Sequence, residues 1–362
     1  MKFTVVKTSP EPLLASCVAA IVEECLRQGH ALVARDEHHK FVLNITDLVH
    51  PAVHRRRSRD EMVVSIGIVD PATDDIRSVC YSALIQTVSN MLFGIQPSAN
   101  GSPPKVYTVT PEVGFFETSF DPAKIYQVML PVVSAHFVLG NRISVGLPPV
   151  EELDAFEVDD LIRYGSVLDR LGLLPAPFPL GDVLSEELQQ HLFRIFEIKG
   201  LSYGNLSARA TVPGFDDPVF WMTARGVDKA HLRRVGKDIL LVTGYDEASG
   251  TMNVSVPPEY DRRARVSVDA VEHYLIYSTF PDVGAIVHVH AWIDGVSCTR
   301  QNYPCGTREL ADEVVRLLKC ANTPEKALVG LKNHGLTVTG ADLGDIFGRI
   351  EGKLLTTVPM YS

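Results

Sequence analysis

Apolar residues recur at helical spacing over Leu13 to Arg27, over Ser82 to Phe93 and over Ile125 to Phe137, where Pro131 predicts a kink or a break. Between these stretches lie β-branched or alternating runs at His30 to Asp36, Met62 to Val69, Val106 to Thr110 and Phe115 to Thr118. Together they predict a mixed α+β domain over residues 1–150, with Ser98 to Pro104 as a loop and a boundary near Gly146 to Pro149. Beyond it, Val158 to Leu171 and Ser185 to Ile198 read as helices, separated by a proline-rich extended stretch from Leu174 to Gly181. The pattern then changes to short strands punctuated by glycine. These are Phe220 to Thr223, Asp238 to Thr243, Met252 to Val256, Ala285 to His290, Ala327 to Leu331 and Leu336 to Thr339, with helices at Asp269 to Thr279 and Arg308 to Leu318. A sheet with helices packed on it is the architecture predicted for residues 151–362.

A chain of 362 residues, 46% of them hydrophobic, can bury a sizeable core and favours two domains. The net charge of -10, from 34 basic and 44 acidic side chains, argues against a general nucleic-acid binder, since phosphate neutralisation needs clustered Lys and Arg. A local patch, Arg55-Arg56-Arg57-Ser58-Arg59, could still hold a phosphorylated ligand or an acidic partner, although a solvated basic loop explains it as well. The apolar stretch Leu13 to Ile21 runs straight into Glu23 and Glu24 and reads as buried helix, so no membrane span or export signal is expected. Six cysteines without a CxxC pair then suggest reduced thiols and a cytoplasmic location.

Chemistry concentrates in the second half. In Ala285-Ile286-Val287-His288-Val289-His290, side chains two apart share a face of the strand, so His288 and His290 converge. With His334 and Asp269 elsewhere, they suit zinc, which takes three protein ligands and an open position in catalytic sites. A hydrogen-bonded histidine pair at a polar strand end is the alternative. His334 lies in Lys332-Asn333-His334-Gly335, at a strand end beside a turn, and could equally be a turn histidine bonding its own backbone. Ser267 reads as a helix N-cap with Asp269 in the first turn, a complete explanation in itself. Asp269 could instead project toward the metal as a ligand or a base. Two further turns, Ser202-Tyr203-Gly204-Asn205-Leu206-Ser207 and Thr223-Ala224-Arg225-Gly226, could cradle an anion on backbone N–H groups, with Arg225 as a bidentate donor.

Taken in order, Gly204-Asn205-Leu206-Ser207-Ala208-Arg209, Met222-Thr223-Ala224-Arg225-Gly226 with Lys229, Ser267 to Asp269, His288-Val289-His290, Gly306-Thr307-Arg308-Glu309-Leu310 and Asn333-His334-Gly335 resemble the class II aldolase/adducin family over about residues 155–355. The resemblance implies an αβα three-layer domain with a central, mainly antiparallel sheet over 151–362. It implies a zinc (or manganese) ion on His288, His290 and His334, and Asp269 as the acidic catalytic residue, in the epimerase rather than the aldolase form. Ser202, Gly204, Asn205, Arg225, Gly226 and Ser267 fall on positions around the substrate's anionic group. It further implies a carbon–carbon lyase of aldolase, epimerase or decarboxylase type, acting on a small sugar phosphate or a hydroxy or oxo acid through a metal-stabilised enediolate, in a homo-oligomer commonly tetrameric. A non-catalytic, adducin-like scaffold is the rival, and three retained histidines argue against it. Arg225 stands where the family usually has serine, and Val268 replaces a second serine, which shifts the expectation toward a carboxylate or a differently placed phosphate. His290 to Gly306 is short for an aldolase, and Tyr303 does not align with the family's proton-donating tyrosine. Residues 1–150 have no counterpart in the resemblance.

Overall fold

The computed structural model describes residues 1–6, 11–58, 60–98, 102–111, 114–153, 155–174, 180–195 and 202–360. It divides into two compact units, the first made of Met1–Ala135 with 180–195 and the second of 136–174 with 202–359. The division therefore precedes the expected boundary near Gly146, for a reason the local pattern does not carry. Strand β8 (Gly140–Val145) hydrogen-bonds in parallel along its full length to a strand more than a hundred residues later.

The first unit is built on a seven-stranded sheet of order β2-β1-β3-β4-β5-β6-β7. Its strands are β1 (Lys2–Val6), β2 (Ala31–Leu32), β3 (Phe41–Ile45), β4 (Met62–Ile68), β5 (Met91–Gln96), β6 (Lys105–Val109) and β7 (Phe115–Ser119). β1 to β5 pair in parallel; β6 and β7 add an antiparallel edge. Helices α1 (Pro12–Arg27), α2 (Ile76–Thr87) and α3 (Pro122–Ser134) accompany it. The helix expected over Ser82 to Phe93 is displaced. Asp75 caps α2 through Ser78 N, Val88 ends it in the left-handed region at φ 53°, and Met91 to Phe93 begin β5. Pro131 stays inside α3 instead of splitting it. Strand β3 escapes the hydropathy pattern because all five of its residues are buried, so nothing alternates.

The second unit holds a nine-stranded sheet of order β14-β15-β16-β13-β9-β10-β11-β12-β8. After β8 come β9 (Asn205–Ala210), β10 (Val219–Thr223), β11 (Ile239–Asp246), β12 (Thr251–Val256), β13 (Ala285–Val289), β14 (Ser297–Cys298), β15 (Leu328–Leu331) and β16 (Gly335–Gly340). Only β14–β15 and β8–β12 are parallel, so the sheet is mainly antiparallel, as expected. Phe220, Met222, Leu240, Val242 and Ile286 pack in one core with Val271, Ile276 and Tyr277 of α6 (Ala270–Thr279) and with Leu310 and Val314 of α7 (Arg308–Lys319). The residues of opposite parity, Trp221, Leu241 and Val287, are equally buried, so the other face is covered too. There α4 (Phe156–Arg170) packs on β9 and β10, and α8 (Leu343–Ile350) on β13 and β16. Tyr164 of α4 stacks on Phe347 of α8 at 4.8 Å. The chain therefore has the mixed α/β fold expected. The helix expected over Ser185 to Ile198 is α5 (Glu186–Ile195), which belongs to the first unit, while 196–198 and most of Leu174 to Gly181 lie outside the described residues.

Candidate metal centre

Three adjacent strands present one row of side chains. His288 of β13 pairs directly with Asn205 of β9 on one side and with Thr337 of β16 on the other. Partners opposite each other share a face, and this is the face roofed by α6 and α7. Gly204 allows the row to close. Its φ of 72° suits glycine, and a Cβ there would run into the His288 carbonyl oxygen.

His290 follows the end of β13, and His334 sits in the turn between β15 and β16, where Asn333 adopts φ 58°. The three imidazoles meet mutually edge-on, with centroid separations of 5.1, 4.8 and 4.8 Å. One ligand nitrogen from each lies within 4.8 Å of the others, and all three residues are buried. His288 Nδ1 donates to the Leu336 carbonyl at 3.0 Å, which leaves Nε2 as the lone-pair nitrogen. That Nε2 is buried and has no hydrogen-bond partner among the described residues, and neither has His290 Nδ1. His290 Nε2 and His334 Nε2 face each other at 3.2 Å. A tetrahedral ion with bonds of about 2.0–2.1 Å needs ligands roughly 3.3 Å apart, so the spacing and the donor set fit a divalent metal. Burial lowers the pKa of all three rings, most in His290 and His334, where the neighbouring imidazoles add to it, so neutral, ligating nitrogens are favoured.

Asp269 is also buried, and the structure corrects its setting. Ser267 is not the N-cap; α6 begins at Ala270 with Asp269 at the cap position. An aspartate there normally accepts from the first-turn N–H groups. Asp269 makes no such bond. Its Oδ2 accepts from Asn205 Nδ2 at 2.7 Å, and its Oδ1 has no partner among the described residues. The Asn205 Nδ2 is thereby engaged, while its Oδ1 is buried with no partner among the described residues. Ser202 is likewise engaged, since its Oγ accepts from Lys229 N at 3.1 Å and its carbonyl from Lys229 Nζ at 2.6 Å. Arg225 is half-buried, with its backbone N–H on the Arg265 carbonyl, and Gly226 follows in the left-handed region at φ 66°. Ser267 is half-buried in the segment leading to α6.

Several neighbours carried no assigned role in the sequence. Lys229 is buried, which pushes its pKa down to about 8 against the opposing pull of Asp228 and Asp269. Tyr203 lies against His290, with centroids 5.1 Å apart, and burial pushes its phenol up to about 12. Cys305 Sγ lies 3.1 Å from His334 Nε2. Glu272 and His273 stand three and four residues beyond Asp269, the spacing of one helix face, and that signal was available. His273 Nδ1 meets Ser207 Oγ at 2.7 Å, and burial, then the charge of His288, lowers its pKa to about 3. Glu272 accepts from Thr337 Oγ1 at 2.6 Å.

Burial, and secondarily the charge of Asp269, pushes Glu272 up to about 8. A carboxyl whose folded pKa is raised favours folding in its protonated form; that contribution is complete below about pH 4.5 and is lost as pH rises through 8. Glu272→Gln keeps the shape without the charge. In metal-stripped protein its stability should match wild type near pH 4.5 and exceed it by ~2–4 kcal/mol near pH 9, read by urea unfolding. Equal stabilities at both pH values would refute the assignment.

Residues 190–299 match the family model of the class II aldolase and adducin N-terminal domain. No curated protein matches the chain. Among solved structures, the chain is similar to YgbL of Klebsiella pneumoniae, whose name leaves aldolase, epimerase and decarboxylase open. That match has 20% identity and a TM-score of 0.33, and covers 54% of this chain and 84% of the other. YgbL of Escherichia coli matches at 18% and 0.33, covering 54% and 83%. An aldolase II superfamily protein of Pseudomonas syringae matches at 15% and 0.34, covering 55% and 73%. The family resemblance read from the motifs is thus matched by the family model over residues 190–299.

Proposed function

We propose that the second unit is a divalent-metal-dependent lyase or epimerase of class II aldolase type, acting on a small sugar phosphate or a hydroxy or oxo acid. His288, His290 and His334 hold the ion, with zinc the best match to three neutral imidazoles and manganese the alternative. The observation that carries this reading is the buried Nε2 of His288, a lone pair with no donor among the described residues, in a ring of three histidines beside a helix-cap aspartate that makes no cap bond. Once bound, a divalent ion polarises a carbonyl oxygen and steadies the negative charge that develops as an adjacent C–C or C–H bond breaks.

The protein's own groups supply the rest. Asp269 Oδ1 is the proton acceptor, aimed by the Asn205 amide on its other oxygen. Lys229 adds a buried positive charge on the Asp269 side and fixes Ser202 through its carbonyl. The substrate's anionic group is assigned to the Ser202–Asn205 turn and to Arg225, Gly226 and Ser267. No role is assigned to the first unit.

Chelator-stripped protein should show no turnover, and zinc, manganese or cobalt should restore it. The assay is a panel of phosphorylated and carboxylated hydroxy-carbonyl compounds in deuterium oxide, followed by NMR for α-carbon exchange and for carbonyl fragments. Stripped protein that exchanges or cleaves as fast as loaded protein would overturn the reading.

A further inference from the structure

The first unit contains another convergence of ligating side chains. His39 lies two residues before β3, Glu61 immediately before β4, and His54 in the connection between them. β3 and β4 are parallel neighbours registered Phe41 to Met62, which brings His39 and Glu61 side by side at the amino ends of the two strands. Parallel neighbours are usually joined through a helix that covers the sheet. Here the described residues of the 46–61 connection contain no helix, yet they return His54 to the sheet.

All three side chains are at most 2% exposed. His54 Nε2 and His39 Nε2 both point at Glu61 Oε1, at 2.6 and 3.3 Å. Glu61 Oε2 accepts from Arg57 N at 2.8 Å. The Arg56 guanidinium bonds the Val88 carbonyl and Asn90 Oδ1, not this carboxylate.

Hydrogen bonds alone do not complete the cluster. His39 Nδ1 donates to the Glu37 carbonyl at 2.8 Å; in the neutral ring the Nε2 lone pair then confronts a carboxylate oxygen, acceptor against acceptor, and only a shared cation or a second ring proton satisfies that contact. His54 Nδ1 is buried and has no partner among the described residues. A cation between the two Nε2 atoms and Oε1 removes the first conflict. The His39–Glu61 separation already equals the roughly 3.3 Å between ligands of a tetrahedral N/O site, while the His54 contact has to open by about 0.7 Å.

We propose that His39, His54 and Glu61 form a second divalent-cation site, distinct from the histidine triad, that fastens the 46–61 connection to the amino ends of β3 and β4. Two imidazoles and one carboxylate suit zinc and neighbouring borderline ions. The burial, and the position away from the carboxyl ends of the parallel strands where ligands gather in such sheets, make its role structural. The site rests on the first unit alone and does not depend on the proposed reaction.

The test loads the stripped full chain with zinc or cobalt and counts ions by elemental analysis. Wild type should hold two per chain. His288→Ala should hold one, with a cobalt spectrum of nitrogen and oxygen ligation, and zinc should raise its melting temperature by roughly 4 °C or more. Adding Glu61→Gln or His54→Gln to His288→Ala should abolish the count, the spectrum and the shift. An ion that survives His288→Ala and is lost with Glu61 or His54 establishes the site, even if the triad proves empty. No ion in His288→Ala, or one indifferent to both added changes, overturns it. Should Glu61→Gln not fold, the count in His288→Ala and the His54→Gln variant still decide.

Discussion

His334→Ala should cost the protein the ion of its histidine triad and its turnover together. His334 is the cleanest of the three positions to change. Its turn is held by backbone, through His334 N on the Leu331 carbonyl and the left-handed Asn333, and the ring itself takes no part in the sheet. His288→Ala, by contrast, also strips the Leu336 carbonyl of its Nδ1–H partner inside a buried strand. With two imidazoles left, the site falls short of the three protein ligands a catalytic zinc needs. Turnover should fall roughly 10³-fold or more, about 4 kcal/mol in barrier. Elemental analysis of the double variant Glu61→Gln/His334→Ala, beside Glu61→Gln alone, isolates the triad's ion. Full occupancy after loss of His334 would sink the ligand assignment, whatever happens to the rate.

Asp269→Asn should do the opposite: keep the metal and lose the reaction. Asparagine matches aspartate in size, can still accept from Asn205 Nδ2, and ranks with it as a helix N-cap. No cap bond is lost, because Asp269 makes none. What disappears is the proton acceptor, typically worth about 10²–10⁴-fold. The expected pattern is unchanged ion content and unfolding midpoint with solvent-exchange activity down by that factor. If Asp269 served only to start α6, the substitution would be silent, so wild-type turnover in Asp269→Asn would return this residue to a purely structural role.

Much of this was legible in the chain itself. The spacing of His288 and His290 on an apolar strand predicts two imidazoles on one face; β13 carries His288 and ends one residue before His290, and the two rings lie 5.1 Å apart. The six ordered motifs resemble the class II aldolase/adducin family, and the family model matches residues 190–299. The errors share a cause. Ser267 has the ideal N-cap chemistry, but the helix starts at Ala270 with Asp269 at the cap position, its carboxylate bonded to Asn205 of β9 and not to the first turn. Met91 to Phe93 continue a helical apolar pattern, yet an edge between two strands recruits them into β5. Ser202 to Ser207 look like a glycine-centred turn, but backbone pairing with β10 and β13 draws Asn205 to Ser207 into the central strand β9.

Local sequence, then, determined the periodicity of the elements, the two-histidine face and the likeness to a metal-using family, because each depends on neighbours within a turn or a strand. Only the tertiary structure decided which distant groups meet. His334 joins His290 across 44 residues, and Asn205 reaches Asp269 across 64. The pairing of His39 with Glu61 across 22 residues has no motif at all, because it exists only in the register of two parallel strands. Register and burial are properties of the packed sheet, and they turn scattered polar residues into candidate sites.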